Sequence, residues 1–127
     1  MRRRSNTDRA KLIQKADALW RQVIRKEFEN KCAVWGWQWR CAGYPNRLEA
    51  HHIIRRAAVS TRWHPLNGIL LSPQMHEWAH AHHPEFIEWL GVAYPARYEF
   101  AISPHPPQKV YTHEITQTIL QLKDMLT

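Results

Sequence analysis

The spacing of hydrophobic and polar positions predicts a long first helix. Hydrophobic residues recur at gaps of three and four through residues 12–28, which indicates an amphipathic helix that starts from a cap at Thr7 or Asp8 and ends near Asn30. The opposite face of this helix is basic. We expect the preceding residues 1–6, which carry three arginines, to form a disordered basic arm.

The middle of the chain shows the two-residue alternation and the short apolar runs that are typical of strands. Tryptophans at alternate positions within residues 35–39 favour a strand or a hairpin arm. A second strand is predicted over residues 48–54. Asn67-Gly68 is a turn signal, and the apolar residues 69–71 that follow it predict a short buried strand. The intervening stretch is predicted to be a loop.

The second half of the chain is predicted to be mainly helical. Its three expected helices cover residues 73–82, 84–90 and 112–126. Ser72 is a typical cap for the first of these, because Pro73 follows it at the first helical position. Residues 91–111 are rich in proline, and we expect them to be irregular apart from one strand near residues 98–102.

Charge is distributed unevenly along the chain. Residues 1–62 hold 15 of the 18 lysines and arginines but 5 of the 11 acidic residues, whereas residues 63–127 carry a net negative charge. A basic half of this kind is typical of a protein that binds a polyanion. A solvated basic helix that only keeps the protein soluble is the alternative, so charge alone leaves nucleic-acid binding open.

The sequence contains no stretch that is long and apolar enough to cross a membrane, and no apolar run follows its basic start. We therefore expect a single cytoplasmic domain with no membrane partner. Two cysteines, Cys32 and Cys41, cannot build a disulfide framework. A single bridge between them is the alternative, but it is not expected in a reducing cytosol, so we expect both to be plain buried or half-buried thiols.

Histidine is concentrated in one segment, since seven of the nine histidines lie between His51 and His83. His76 and His80 are four residues apart on a predicted helix and share one face, which suits two ligands of one metal. His51 and His52 are neighbours on a predicted strand and point to opposite faces, which suits a ligand and a base. The alternatives are a solvated helix face and a strand that is half core, half surface.

These histidines meet the requirements of a hydrolytic site. A divalent cation neutralises charge on a phosphodiester, and histidine acts as a base near its usual pKa of about 6.5. Three protein ligands leave a metal open positions for water and substrate. His51, His76 and His80 as ligands, with His52 as base, satisfy these conditions. Imidazole ligands favour one Zn²⁺ or Ni²⁺ ion, while Mg²⁺ and Mn²⁺ remain candidates for turnover.

Two segments, L-E-A-H-H-I-I and L-N-G-I-L-L-S-P-Q-M-H-E-W-A-H, together resemble the HNH endonuclease motif, also called the ββα-metal or His-Me finger. Their order and gaps are similar to those of colicin-type DNases. The phrase E-A-H-H-I-I-R-R followed by N-G-I-L-L is similar to small phage and prophage HNH proteins. A looser likeness extends to L-W-R-Q-V-I-R-K and C-A-V-W-G before the motif and to P-E-F-I-E-W-L after it.

The resemblance implies an α+β fold in one nuclease domain over residues 7–127. Its ββα-metal core, a short hairpin followed by a helix, would lie within residues 48–83, between a long N-terminal helix and a C-terminal helix. Three histidines would hold the metal: His51, His76 and His80. His52 would be the general base, and Asn67 would brace the loop that orients it. Glu49 matches an acidic position that supports neighbouring side chains, and a plain exposed carboxylate is the alternative.

Many HNH proteins also carry a structural zinc bound by two C-x-x-C pairs, and this sequence departs from that pattern. The corresponding positions are Cys32, Trp35, Ser72 and Met75, so three of the four sulfur ligands are missing. One thiolate cannot hold a structural zinc. We expect no structural zinc bound by four cysteines, and we expect Trp35 and Met75 to fill part of its volume.

Three arginines flank the motif: Arg55, Arg56 and Arg62. Guanidinium groups match phosphate oxygens, so these side chains are predicted to contact DNA, with a solvated loop as the alternative. The sequence thus predicts a metal-dependent endonuclease that hydrolyses phosphodiester bonds in DNA. If the gene belongs to a phage, the protein acts in the bacterial host cytoplasm, with phage packaging or recombination proteins as possible associates.

Two other functions fit the same residues. In the first, the histidines hold a structural zinc and the basic half docks on nucleic acid without catalysis. The second is a toxin-like nuclease with an inhibitor partner, although no receptor or translocation segment supports it. An open coordination position on the metal distinguishes the nuclease from the binding module.

Overall fold

The computed structural model describes the backbone of residues 2–34 and 47–127 and the side chains of residues 8–34 and 47–127. These ranges form an α+β fold with five helices and a two-stranded antiparallel sheet. In chain order the elements are α1 (Arg2–Glu27), β1 (Glu49–His52), β2 (Gly68–Leu71), α2 (Pro73–Ala81), α3 (His83–Ala93), α4 (Pro95–Ile102) and α5 (Thr112–Met125). The predicted strand over the alternating tryptophans lies outside the described residues.

The helix α1 buries the hydrophobic face that its periodicity predicts. Ala16, Trp20, Val23 and Ile24 lie on this face and are almost completely buried. The face covers the sheet on one side and contacts α5 on the other, where Ile115, Ile119 and Leu122 are also buried. Burial of these side chains is the main force that fixes the two long helices to the hairpin.

Both ends of α1 differ in detail from the prediction. The helix begins at Arg2 rather than at Thr7 or Asp8, so most of the predicted disordered arm has helical backbone. No glycine or proline in residues 2–6 interrupts the helix. At the other end Glu29 and Asn30 adopt positive φ angles of 53° and 56°, a left-handed conformation that stops an α-helix.

The two strands pair over four residues, with His51 opposite Ile69 and His52 opposite Gly68. The strand β2 is buried along its whole length. Gly68 is required by close packing, because a Cβ there would lie 2.4–2.6 Å from side-chain atoms of Ile24 and Trp20. The first strand is shorter than the predicted range 48–54, since the chain leaves the sheet after His52.

The helix α2 has the predicted start, since the Ser72 hydroxyl accepts a hydrogen bond from the Met75 backbone at 3.3 Å. Its bounds agree with the prediction within one residue. The next helix, α3, starts one residue before the predicted position and is three residues longer at its end. The last helix, α5, also lies within one residue of its predicted bounds.

The predicted strand near residues 98–102 is wrong, because these residues belong to α4. Pro95 at its first turn favours a helix start. Arg97 then points inward, where its Nε donates to the Gly68 carbonyl at 2.7 Å and its Nη2 lies 2.8 Å from Glu27 Oε2. These long-range contacts outweigh the local strand preference of Tyr98 and Phe100.

Cys32 is buried and disulfide-bonded, so the expectation that it is a plain thiol is wrong. The other cysteine, Cys41, lies outside the described residues. The Cys32 sulfur also lies 3.3 Å from the Ser72 backbone nitrogen, next to the start of α2. Across the described ranges, no helix has the length and apolar character needed to span a membrane.

Candidate metal centre

Three histidines from two elements come together where β1 passes α2. His51 lies on the strand, and His76 and His80 lie one helical turn apart on the face of α2 that covers it. One ring nitrogen from each side chain can be chosen so that all three atoms lie within 4.8 Å of one another. The Nε2 atoms of His76 and His80 are 3.2 Å apart. The three predicted ligands therefore lie close enough together to hold one metal ion, and their role as ligands stays a prediction.

The spacing of the His76 and His80 Nε2 atoms fits a divalent metal ion. Two imidazole ligands of a tetrahedral zinc, each about 2.0–2.1 Å from the metal, stand roughly 3.3 Å apart, close to the separation of the two helix histidines. His51 is 3 % exposed, and neither of its ring nitrogens has a hydrogen-bond partner among the described residues. An unsatisfied buried polar group costs about 1–3 kcal/mol, and a bound cation would relieve part of that cost.

Burial gives His51 the protonation state that a ligand needs. Burial, together with the nearby His76 and His80, lowers the pKa of His51 to about 3. The side chain is therefore neutral at physiological pH and keeps a free lone pair. Phe86 packs edge-on against the ring at a centroid distance of 5.3 Å and shields it from solvent.

Glu49 lies at the edge of this cluster and contacts one of its histidines. Its Oε1 is 3.3 Å from Nδ1 of His76. A carboxylate in this position favours a proton on Nδ1, which leaves the lone pair on Nε2, the atom that faces His80. The acidic residue therefore reaches the site through His76, which fits a supporting role better than that of an unengaged surface carboxylate.

His52 has a different environment from its neighbour His51. Its ring stacks on Trp20 of α1 with centroids 3.9 Å apart and planes 11° apart. Its Nε2 lies 3.1 Å from the backbone oxygen of Arg62. A carbonyl can only accept, so Nε2 carries the hydrogen and Nδ1 carries the lone pair. Burial lowers the pKa of His52 to about 4, against the opposing effects of the Arg62 hydrogen bond and of Asp17.

The two adjacent histidines line one cleft of about 800 Å³, together with His76 and His80. His52 and the three candidate ligands therefore line the same cleft. A base and a cation held around one cleft can act on a single bound substrate.

Asn67 is fully buried and closes the loop between the two strands. Its Oδ1 accepts from the Ile54 backbone at 2.6 Å, and its Nδ2 donates to the carbonyls of Ile54 and Thr61 at 3.2 and 3.1 Å. Both ends of the loop are therefore tied to one amide. These hydrogen bonds hold the loop, and the role of Asn67 in orienting a base stays a prediction.

The three predicted DNA-contact arginines do not share one environment. Arg55 and Arg56 are exposed and line the cleft. Arg62, by contrast, pairs with Asp17 of α1 through its Nε and Nη2 atoms at 3.0 and 2.7 Å. Its guanidinium is 16 % exposed and is engaged within the protein, which differs from the predicted DNA contact. The 45 residues that separate Arg62 from Asp17 hide this pairing from the sequence pattern.

Sequence reasoning missed two α1 residues that line the cleft, Asp17 and Trp20, whereas Arg21 belongs to the basic face that it identified. One signal was present, because Asp17 is the only acidic residue between Asp8 and Glu27 on an otherwise basic helix. Burial acts to raise the pKa of Asp17, but hydrogen bonds from Arg62 and Trp63 and the charge of Arg62 hold it below its usual value. Asp17 is therefore a charged anchor within the wall of the cleft.

No protein-family model matches the chain, and no curated protein or solved structure is significantly similar to it. Functional inference therefore depends on the chemistry of the cleft and on the order of the elements around it. The cleft combines three convergent imidazoles, a separate neutral histidine and exposed arginines.

Proposed function

We propose that this protein is a metal-dependent endonuclease of the HNH type that hydrolyses phosphodiester bonds in DNA. The observation that carries the proposal is the buried His51, whose ring nitrogens lack partners among the described residues beside the facing Nε2 atoms of His76 and His80. The chain order of β1, β2 and α2, an antiparallel hairpin followed by a helix, supports assignment to the ββα-metal class.

In this proposal the three histidines would hold one divalent ion, and Glu49 would keep His76 in the tautomer that presents Nε2. When bound, the ion would supply positive charge to the scissile phosphate and to the leaving oxygen. The nitrogen ligands favour Zn²⁺ or Ni²⁺ for tight binding, with Mg²⁺ and Mn²⁺ as further candidates for turnover. The described residues bring three ligands together rather than the four of a typical structural zinc site.

His52 would act as the general base. A water molecule in the cleft would lose a proton to Nδ1 as its oxygen attacks phosphorus, while Nε2–H continues to donate to the Arg62 carbonyl. The same hydrogen bond would stabilise the imidazolium that forms. The ester bond from phosphorus to the leaving sugar oxygen would break, and that oxygen would take a proton from solvent. The stack on Trp20 holds the ring plane so that Nδ1 keeps one orientation.

Substrate phosphates would be bound by exposed arginines at the cleft, namely Arg21, Arg55 and Arg56. None of these three side chains has an ion pair within the described part of the chain. Free guanidinium groups beside a cation site suit the consecutive phosphates of a nucleic acid. Arg62 is assigned to the loop that holds His52 and not to substrate.

A plasmid-cleavage assay tests this function. Supercoiled DNA is incubated with the protein and Mg²⁺, Mn²⁺, Ni²⁺ or Zn²⁺ in turn, with EDTA as the metal-free control. We expect cleavage that EDTA abolishes and that His52→Ala reduces about 100-fold or more, because the base is lost. His113→Ala, which removes an exposed histidine on α5, is the matched control and should cleave like the wild type.

Metal-dependent cleavage that survives unchanged in His52→Ala would refute the mechanism. Zinc binding without cleavage under any of the four metals would favour the non-catalytic nucleic-acid-binding module.

A further inference from the structure

The helix α1 lies outside the hairpin and helix that carry the candidate ligands, yet it reaches the loop that holds His52. Asp17 and Trp20 are three residues apart and so lie on one face of α1. That face is turned toward residues 61–64 of the loop. The contacts between α1 and this loop lie next to the hydrogen bond from His52 Nε2 to the Arg62 carbonyl, which orients the candidate base.

Asp17 fixes the turn that supplies the Arg62 carbonyl. Its two carboxylate oxygens accept from Nε and Nη2 of Arg62, and Oδ1 also accepts from the Trp63 indole at 2.7 Å. Trp63 is 6 % exposed and Asp17 is half-buried, so this second hydrogen bond is partly buried. Two consecutive loop residues are thus attached to one carboxylate.

Trp20 completes the arrangement from the next turn of the helix. Its indole nitrogen donates to the His64 carbonyl at 3.1 Å, and its ring is the surface on which His52 stacks. The His52 ring is therefore held in its plane by Trp20 and at its Nε2 edge by the Arg62 carbonyl. Both supports depend on α1.

We propose that Asp17 and Trp20 are positioning residues that select the Nε2–H tautomer of His52 and hold its Nδ1 toward the cleft. The expected effect on kcat rests on the proposed function, whereas the expected effect on the His52 tautomer does not. It assigns to α1 a role in the reaction that is distinct from phosphate binding. Asn67 holds the Thr61 carbonyl of the same turn from inside the motif, so the turn is fixed from two sides.

The direct test is the tautomeric state of His52 in metal-free protein. Long-range ¹H–¹⁵N correlation spectra at about pH 8, where histidines are neutral, distinguish Nε2–H from Nδ1–H. We expect a single Nε2–H form in the wild type and a mixture of tautomers in Asp17→Ala. Asp8→Asn, a change at an exposed acidic residue of the same helix, is the matched control and should retain the single form.

Kinetics provide the second readout. We expect Asp17→Ala to lower kcat for DNA cleavage about 10- to 100-fold with little change in KM or in zinc affinity, since misplacement of a reacting group slows the chemical step. Asp17→Asn keeps an oxygen acceptor for Trp63 and should lie between Asp17→Ala and the wild type. It also serves in place of Asp17→Ala if that variant does not fold.

A single Nε2–H form of His52 in a folded Asp17 variant would overturn the positioning role, as would an unchanged kcat. If Asp17 only stabilises the fold, Asp17→Ala would lower the melting temperature and leave the His52 tautomer and kcat at wild-type values. If the wild type does not cleave DNA at all, the nuclease assignment fails, while the tautomer spectra still decide whether α1 positions His52.

Discussion

At the scale of single residues, adjacent side chains have separate tasks because a strand points successive residues in different directions. His51 turns toward α2 and the other two candidate ligands, whereas His52 turns toward Trp20. The period of a strand and the spacing on a helix made this division predictable from sequence. The fate of Arg62 was not predictable, because it depends on Asp17, which only the tertiary fold brings near.

Asn67 allows a residue-scale prediction. Asn67→Ala leaves the Ile54 amide and the Thr61 carbonyl without their buried partner, and each such loss costs about 1–3 kcal/mol. We expect the free energy of unfolding of the metal-free protein to fall by about 2–6 kcal/mol in urea titrations. Cleavage should fall as well, since the loop that presents the Arg62 carbonyl is loosened.

Gln121→Ala is the control for this prediction, because Gln121 is an exposed amide on α5. Its stability should stay within roughly 0.5 kcal/mol of the wild type. An Asn67→Ala protein as stable as this control would show that the buried amide does not brace the loop.

At the scale of elements, α1 shows what periodicity predicts and what it cannot predict. The existence of the helix and its buried face follow from its hydrophobic spacing. The contacts that its charged side chains make do not follow from that spacing. Three basic side chains donate to backbone carbonyls at the ends of other segments: Arg9 to Val110, Arg25 to Leu48 and Lys26 to Met125. The basic half of the sequence is typical of a protein that binds a polyanion, but these three groups bond to backbone carbonyls of the protein itself.

Arg21 is the α1 cation that faces the cleft, and this position gives an element-scale prediction. Arg21→Ala should weaken binding to a labelled DNA duplex and reduce the slope of log K against log salt by about 1, because one phosphate contact is lost. Fluorescence anisotropy in EDTA measures binding without cleavage. Lys11→Ala removes the same charge from an exposed site on α1 that does not line the cleft.

Lys11→Ala should therefore bind almost like the wild type. Equal losses in the two variants would mean that the helix attracts DNA only through its total charge, without a specific contact at the cleft.

At the scale of the whole molecule, the two strands and the helix after them were predictable from local pattern, while the α+β class and the pairing of the strands as a hairpin followed from the family resemblance. The packing of α5 on α1 was not predictable, since amphipathic helices do not specify their partners. The Pro-rich stretch was predicted to be irregular, yet α4 forms there because Arg97 reaches the start of β2. The candidate site is similar in this respect. Its histidines are evident in the sequence, but the contacts from α1 that hold His52 are visible only in the fold.

The central claim is that His51, His76 and His80 hold one divalent ion. Calorimetric titration of the metal-free protein with Zn²⁺ tests it most directly, with His113→Ala as control. We expect one ion per chain in the wild type and in the control. We also expect His51→Ala to lose more zinc affinity than the roughly 10- to 100-fold that is lost when a residue hydrogen-bonded to a metal ligand is removed. Zinc binding that is absent in the wild type, or that is unchanged in His51→Ala, would contradict it.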